Sequence, residues 1–544
     1  TSNFTESLKL NKILYFAGLC VLATGCNDLD TEPLGNIITS TQKSDVIKGD
    51  PAMIESSVSA IPSTGNLFGK ILGTNQHMDF GYPAILAGLD SRTAEMVSDV
   101  TGYNWFSEQV EFSDYKPTSR LTRMIWGTMY NQILAANSVI ATIDSETKDP
   151  LSMYYLAQGL AYRANSYFVL AQSYQFTYKG NETLPCVPLI TDKNQNEVAS
   201  NGAPRATVQE VYDQIDSDIN EAIRLLEESG RISATARADK KFFNASNAHG
   251  LRARINLVKQ NWAEAVKDAQ YVIDNSKATP YSIAEVSKPS FWDAADHSWL
   301  LAVIVEESDR VVTIGICNWP SMMCSFSSNG YVAVGAWRRG SKKMVDGLNI
   351  DDVRKGWFLN SNGKSPNLSA EQQAYLTGAI SAPSTPAYVN VKFDIYNSNF
   401  SNPVCANDMP LMRIEEMYLI LAEAQAMGGD AATGAQTLTS FISTYRDPSY
   451  TCAASTAEGV QDEVWKQRCV EFWGEGMGYF DYLRLRKAID RRGAGFAPAQ
   501  CFNIEPNDPI LLFQIPQTEV EGNTQLGANN PEPSKAPTPV ADVD

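Results

Sequence analysis

The sequence predicts a mainly α-helical protein in which helix pairs form a scaffold and carry an irregular, loop-rich half. Three observations support this fold class. Apolar residues recur at spacings of three and four over long stretches. Short turns join consecutive helical stretches, and small residues flank them. The 544 residues are too many for one compact core but suit several cores or a large helical array.

The first clear helices lie between residues 126 and about 223. One apolar face combines Trp126, Tyr130, Ile133, Leu134, Asn137 and Ile140. A second helix is predicted from about 151 to 175, where Leu156, Leu160 and Tyr167 keep the same spacing. Thr207 is a suitable N-cap for a third helix.

Two later stretches predict antiparallel helix pairs. The first pair runs Ala248–Lys259 and Trp262–Ile273, and the second runs Ile414–Met427 and Ala431–Tyr445. Small residues allow the helices of the first pair to approach closely: Ala253, Ala265 and Ala269. This pattern is typical of tetratricopeptide repeats of about 34 residues. Generic pairing of amphipathic helices explains the same periodicity and stays open as an alternative.

Helical periodicity is lost from about 280 to 410. This stretch is rich in Trp, Gly, Ser, Asn and Pro, which favour loops and turns. We expect loops and short strands here, carried on the helical scaffold, and we expect strands only in this middle third.

The N-terminal segment has the features of an export signal. Lys9 and Lys12 precede an apolar run, Ile13–Ala23, whose 11 residues are fewer than the roughly 20 that a membrane-spanning helix needs. Gly25 and Cys26 follow, as in a bacterial lipobox. We therefore expect cleavage before Cys26 and acylation of that cysteine, for example by palmitate. A plain signal peptide with an incidental cysteine is the alternative.

After the predicted cleavage, seven cysteines besides Cys26 bear on redox chemistry: 186, 317, 324, 405, 452, 469 and 501. Exported proteins meet oxidising conditions, so disulfides are possible, although the odd count leaves at least one thiol free. Cys317 and Cys324 are the most plausible local pair because of their short separation.

Charge and motif content exclude several functions. A net charge of −18 disfavours nucleic-acid binding, which needs a basic face. The three histidines are widely separated, which disfavours a multi-histidine metal centre. The sequence contains no G-x-S-x-G, H-E-x-x-H or EF-hand loop. We therefore assign no catalytic residues, metal ligands or cofactor. A glycosidase carboxylate pair stays open, because its two members need no fixed spacing in the chain.

The C-terminal third contains the most specific motifs. They read Arg413-Ile-Glu-Glu-Met-Tyr-Leu-Ile-Leu-Ala-Glu423-Ala424, Gln467-Arg468-x-x-Glu471-Phe-Trp-x-Glu475-Gly476, Asp481-Tyr-Leu-Arg484 and Ile515-Pro516-x-x-Glu519, with Asn523 beyond. Together with Asp352-Val353-Arg354 upstream, these resemble the motifs of the SusD/RagB family of surface nutrient-binding lipoproteins. Gln467 stands where the family usually has Glu, and Gly478 where it often has Arg. We interpret the charges as structural, with Arg468, Glu471 and Glu475 forming a ladder along the last helices.

The resemblance implies a fold, a function and partners. The fold is one of tetratricopeptide-like helix pairs supporting an irregular ligand face. The function is non-catalytic capture of oligosaccharide or polysaccharide fragments at the outer membrane of a Gram-negative bacterium. The partners are a SusC-like TonB-dependent transporter and the membrane, reached through a lipid on Cys26. A polysaccharide-cleaving surface enzyme and a peptide-capturing member of the family are the alternatives.

We expect the chain to be organised in six regions. Residues 1–25 are a lipoprotein signal peptide, and 26–40 an acidic tether. The remaining regions are an N-terminal SusD-like region at 41–280, a loop-rich insert at 281–410, a C-terminal helical region at 411–530 and a Pro-rich tail at 531–544.

The candidate ligand-binding residues lie in irregular segments. Sugar sites combine exposed aromatic rings with a few polar partners, and loops on a rigid scaffold usually carry them. This reasoning selects Tyr103, Asn104, Trp105, Trp292 and Trp319, with Asp79 and Arg338 as further polar partners. We expect at least two of the aromatic residues to share one exposed surface.

Overall fold

A computed structural model describes residues 51–378, 385–400 and 403–543 of the chain. The predicted signal peptide, Cys26 and the acidic tether lie outside the described residues. About half of the chain is helical. The α-helices are α1 Glu55–Ser63, α2 Tyr82–Ser91, α3 Ser107–Val110, α4 Arg120–Thr142, α5 Pro150–Tyr174, α6 Gln195–Asn201, α7 Val208–Glu228, α8 Ala245–Lys259, α9 Trp262–Asn275, α10 Ile283–Val286, α11 Arg310–Thr313, α12 Trp319–Met323, α13 Lys342–Asp346, α14 Ala370–Thr377, α15 Ile414–Met427, α16 Ala431–Tyr445, α17 Ala457–Glu471, α18 Gly478–Leu485 and α19 Gln517–Gly522.

The strands are few and short, and each pairs with one antiparallel partner. They are β1 Met96–Val97, β2 Trp299–Val303, β3 Arg339–Gly340, β4 Met409–Arg413, β5 Ile489–Asp490 and β6 Asn503–Ile504. The pairs are β1 with β3, β2 with β4 and β5 with β6, and in the longest of them Trp299 faces Arg413. The mainly helical prediction is confirmed. The expectation of strands only in the middle third is wrong, because β1, β5 and β6 lie outside it.

The chain divides into two units, each made of discontinuous segments. Within the described residues, the first contains 51–64, 115–231 and 512–532, and the second contains 65–114, 232–511 and 533–543.

The core of the first unit lies between its long helices. Helix α5 packs against both α4 and α7, and most of its side chains are buried. Thr207 caps α7 as predicted: its side chain accepts a hydrogen bond from the Glu210 N–H while the Glu210 carboxylate accepts one from the Thr207 N–H.

The core of the second unit contains both predicted helix pairs. Helix α8 packs on α9, α9 on α15, and α15 on α16 and α17. The small residues of the first pair, Ala253, Ala265 and Ala269, are fully buried. At Gly434 an added Cβ would lie 2.7 Å from the Cβ of Ala426, so α15 and α16 approach as closely as a residue without a side chain allows.

Several helices have no counterpart in the sequence prediction, and α2 is an example. Nearly every residue of α2 is buried, so the segment is apolar on most sides and has no periodic polar face. The suggested disulfide is also absent: Cys317 and Cys324 are both buried and free. The short helix α12 lies between the two cysteines in the chain. Within the described residues, no helix combines the length and hydropathy needed to cross a bilayer.

Candidate functional site

The loop at 65–81 is held by a buried carboxylate. Asp79 is 1% exposed, and its Oδ2 accepts hydrogen bonds from the N–H groups of Ile71 and Leu72 at 2.9 and 2.6 Å. Gly81 has a φ of 84°, and an added Cβ there would lie 2.3 Å from the Gly65 carbonyl oxygen. Asp79 thus organises its own loop, and its buried carboxylate is not presented to a ligand in this structure.

A second support fixes the loop that carries Tyr103 and Trp105. Asn104 is 4% exposed; its amide donates to the Asp99 carbonyl at 2.8 Å, and its Oδ1 accepts from Arg338 Nη2 at 2.9 Å. Arg338 is itself buried, and burial lowers its pKa to about 10. Asn104 and Arg338, both predicted ligand contacts, therefore hold this loop in place through buried hydrogen bonds.

Four aromatic rings lie close together beside these loops. We call them the aromatic cluster: His77, Tyr103, Trp105 and Tyr331. His77 stacks on Trp105, with ring centroids 4.8 Å apart and planes at 24°. Tyr331 lies 6.3 Å from Trp105 and 6.4 Å from Tyr103, and its hydroxyl shares a hydrogen bond with His77 Nδ1. Tyr103 is 56% exposed, and the other three rings are half-buried.

The chemistry of the aromatic cluster suits a hydroxyl-rich ligand. Its rings offer flat apolar faces, and the hydroxyls of Tyr103 and Tyr331 are hydrogen-bonding edges. Burial raises the pKa of Tyr331, so this hydroxyl keeps its proton at neutral pH. None of the four side chains is a carboxylate, an ammonium or a guanidinium group.

The other two predicted aromatic residues have different surroundings. Trp319 is 3% exposed and packs edge-on against Phe393, with ring centroids 4.8 Å apart, so it offers no face to a ligand in this structure. Trp292 is half-buried and meets Tyr396 edge-on at 5.7 Å. The structure therefore brings Tyr103 and Trp105 together through Tyr331.

Sequence reasoning missed His77 and Tyr331. In the sequence, His77 is one of three widely separated histidines, and Tyr331, unlike Tyr103, has no tryptophan within two residues. Tyr331 follows Asn329 and Gly330 in the loop-rich stretch. That setting, an aromatic residue within a Gly- and Ser-rich loop, is the signal that could have identified it.

Several motif residues form a separate feature with Lys392 and Arg446, and we call it the buried charge cluster. It is defined by Asp352, Arg354, Lys392, Arg413, Glu415, Arg446, Glu471 and Glu475, each no more than 5% exposed. Glu471 is central: its carboxylate lies 2.8 Å from Arg446, 3.2 Å from Arg413 and 3.4 Å from Arg354. Four cationic and four anionic side chains balance one another, as buried charges require.

The pKa values in the buried charge cluster follow from burial opposed by ion pairing. Burial acts to raise the pKa of Glu471, but Arg446 and Arg413 outweigh it and hold the pKa well below its usual range. Burial lowers the pKa of Lys392 to about 8, although Glu475 lies 2.8 Å from its Nζ. Such shifts arise in structural ion networks as well as in active sites.

The structure corrects the predicted ladder of charges. Arg468 pairs with Asp481 at 2.7 Å and so joins α17 to α18, whereas Glu471 and Glu475 both bind Arg413. The predicted ladder is wrong because the buried arginines that bind Glu471 and Glu475 do not lie on α17. Gln467 accepts a hydrogen bond from Arg354 Nη2 at 2.5 Å, so the amide keeps the contact without the charge. The structural interpretation of these residues therefore rests on their burial and pairing.

Metal ligands were not predicted. In the ranges that the structure describes, no group of three or more His, Cys, Asp or Glu side chains could hold an ion.

Comparison with protein families gives two matches. Residues 80–257 match the family SusD-like_3, described as starch-binding and associating with the outer membrane. Residues 351–532 match the SusD_RagB model, described as the SusD family. The first match includes the loop of Tyr103 and Trp105, and the second includes all eight residues of the buried charge cluster. No curated protein sequence matches the chain.

Solved structures resemble the fold over most of the chain. A SusD-like carbohydrate binding protein from Bacteroides vulgatus ATCC 8482 has 19% identity and a TM-score of 0.69, covering 89% of this chain and 98% of its own. A SusD superfamily protein from Bacteroides thetaiotaomicron VPI-5482 has 20% identity and a TM-score of 0.69, covering 88% and 99%. Surface glycan-binding protein A from Bacteroides thetaiotaomicron, solved with laminarihexaose, has 15% identity and a TM-score of 0.63, covering 88% and 99%. At these identities the likeness concerns the fold.

Proposed function

Because the chain belongs to the SusD/RagB family, we propose that it is a cell-surface carbohydrate-binding protein whose ligand site is the aromatic cluster. The observation that carries the proposal is the gathering of Tyr103, Trp105 and Tyr331 at the surface, on loops that buried polar groups hold in place. A related structure contains laminarihexaose, which supports an oligosaccharide as the ligand class.

The proposed binding mode is stacking combined with hydrogen bonding at the ring edges. Sugar rings present C–H faces, which pack on aromatic faces, and hydroxyl edges, which pair with phenol hydroxyls. Asn104 and Arg338 take part indirectly, because they hold the loop that carries Tyr103 and Trp105. Pre-positioned rings lose little conformational entropy when a ligand binds.

We further propose that the protein captures glycans without cleaving them and passes them to a SusC-like TonB-dependent transporter. The carboxylates of the buried charge cluster are engaged by arginine and lysine, so they are not placed to act as an acid or a nucleophile. A lipid on Cys26 would keep the protein at the outer membrane beside such a transporter.

Binding and cleavage are separated in one experiment with the full chain. Calorimetry measures the binding of laminarihexaose, maltohexaose and cellohexaose during titration. Reducing ends are then measured in the same samples. We expect saturable binding without new reducing ends, and Trp105→Ala should weaken it several-fold while Trp292→Ala leaves it nearly unchanged. New reducing ends would support the surface enzyme instead. Binding of a peptide panel without sugar binding would support peptide capture.

Anchoring is tested by cell fractionation. Cys26→Ser should move the protein from the membrane fraction to the soluble fraction, and co-purification with a TonB-dependent transporter should then fall. A variant protein that stays in the membrane fraction contradicts the lipid anchor.

A further inference from the structure

A groove of about 440 Å³ lies on the helical part of the second unit, between α9, α15 and α16. Three aromatic rings line one side of it. Tyr418 stacks on Phe441, with centroids 5.1 Å apart and planes at 6°, and Tyr445 follows at 5.7 Å from Phe441. Phe441 and Leu421 are buried and form the floor, while the two tyrosines are half-buried. Its volume is within the range of small-molecule sites, about 300–1000 Å³.

The polar part of the lining is uncharged. None of the eleven lining residues is Asp, Glu, Lys, Arg or His, and six carry an amide or an aliphatic hydroxyl: Gln270, Thr433, Gln436, Thr437, Ser440 and Thr444. Some of these are already paired, since Thr437 Oγ1 donates to Gln425 Oε1 at 2.6 Å and Gln436 Nε2 donates to Ser440 Oγ at 3.1 Å. Among the described residues, the phenol hydroxyls of Tyr418 and Tyr445 have no hydrogen-bonding partner.

We infer that this groove is a second carbohydrate site, which takes a short neutral oligosaccharide. Aromatic faces beside unpaired phenol hydroxyls match the C–H faces and hydroxyl edges of a sugar. The uncharged lining offers no ion-pairing partner to a phosphate, a sulfate or a carboxylate, and a net charge of −18 disfavours anionic polymers in general. The inference shares its ligand class with the proposed function but uses no residue of the aromatic cluster.

Hydrogen-exchange mass spectrometry on the full chain distinguishes the two sites. With laminarihexaose, maltohexaose or cellohexaose, we expect slower exchange in 418–445, separate from any change at 65–81 and 101–106. The groove should remain protected in the double variant Tyr103→Ala/Trp105→Ala, because its residues do not belong to the aromatic cluster.

Blocking variants test the groove itself. Ser440 is exposed and lines the groove, so Ser440→Phe should fill it and lower its affinity at least tenfold. Ala432→Phe is the matched control, since Ala432 is exposed on the same helix outside the lining. Thr444→Glu is a second blocking variant at an exposed position, in case Ser440→Phe misfolds.

The outcomes separate the inference from the proposed function. If none of the three sugars protects 418–445, or if both blocking variants leave that protection unchanged, the second site is refuted, while protection at 101–106 would still support the proposed function. Protection of 418–445 by uncharged peptides alone would also refute it and would indicate a protein-docking groove. Sugar protection of 418–445 without any change at 101–106 would support the second site and contradict the aromatic cluster as the ligand site.

Discussion

The buried charge cluster and the aromatic cluster belong to the same unit, yet they use side chains in opposite ways. In the first, eight charged groups are removed from water and each is satisfied by another. In the second, Tyr103 is 56% exposed and the other three rings are half-buried, without any charged partner among them. The strongest sequence motifs thus mark the structural region, while the candidate ligand surface lies on loops without a motif.

The polar residues predicted to contact ligand also turn out to be buried and structural. Asn104 and Asp79 appeared in the sequence as ligand contacts, but both are buried and hold backbone groups of the loops. In both regions most buried polar groups pair with one another, although among the described residues the buried Nε of Arg338 has no hydrogen-bond partner.

Breaking the buried charge cluster should produce the largest effect. Glu471→Gln removes the charge that faces Arg354, Arg413 and Arg446, and we expect it to lower the free energy of unfolding by about 3–5 kcal/mol. Urea unfolding measures this. Glu221→Gln is the control: Glu221 pairs with Arg224 at the surface, where a loss of about 0–1 kcal/mol is typical. Equal losses in the two variants would contradict the structural role.

Acid should weaken the buried charge cluster and the Arg468–Asp481 pair. The pKa values of Glu471, Glu475 and Asp481 are lowered in the folded protein, because arginine and lysine partners outweigh burial. The unfolded chain therefore takes up protons first as pH falls. The stability that these groups supply is complete above their ordinary pKa of about 4 to 4.5 and is lost as pH falls further.

Thermal melts from pH 7 to pH 3 measure this effect. We expect the melting temperature to fall steeply below about pH 4.5. A melting temperature that stays level down to pH 3 would contradict the role of the three carboxylates.

Removing a loop support should have an intermediate effect on both stability and binding. Asn104→Ala breaks the contacts with Asp99 and Arg338, which should cost about 1–3 kcal/mol of unfolding free energy. Sugar affinity should also fall, because Tyr103 and Trp105 lose their fixed positions. Asn362→Ala, at an exposed loop position, is the control and should change both by less than about 0.5 kcal/mol. Unchanged sugar affinity in Asn104→Ala would contradict a role of this buried support in sugar binding.

The smallest effect on stability should come from the surface of the aromatic cluster. Tyr103→Ala removes an exposed ring, so sugar binding should weaken by about 1 kcal/mol while the melting temperature stays nearly constant. Tyr103→Phe keeps the ring face and removes only the hydroxyl, so it should lose less affinity than the alanine variant. Calorimetric titration compares the two. Equal affinity in Tyr103→Ala and the unsubstituted protein would exclude a stacking role for this residue.

The sequence alone predicted the helices well, for reasons local to each segment. The Thr207 cap located the start of α7, and the predicted pair Ile414–Met427 and Ala431–Tyr445 has the bounds of α15 and α16. It failed at α2, which is buried on nearly all sides and lacks a polar face. Helical period and turn chemistry depend on neighbouring residues, so they can be read along the chain.

The candidate site depended on contacts that no local pattern encodes. Tyr331 joins Tyr103 and Trp105 across more than two hundred residues of sequence, and Arg338 supports Asn104 over a similar separation. Trp319 was a candidate because its segment lacks helical periodicity, and only packing against Phe393 revealed that it is buried. Exposure and long-range pairing result from how the whole unit packs, so the tertiary structure decided them, whereas the amphipathic helices were determined by the sequence itself.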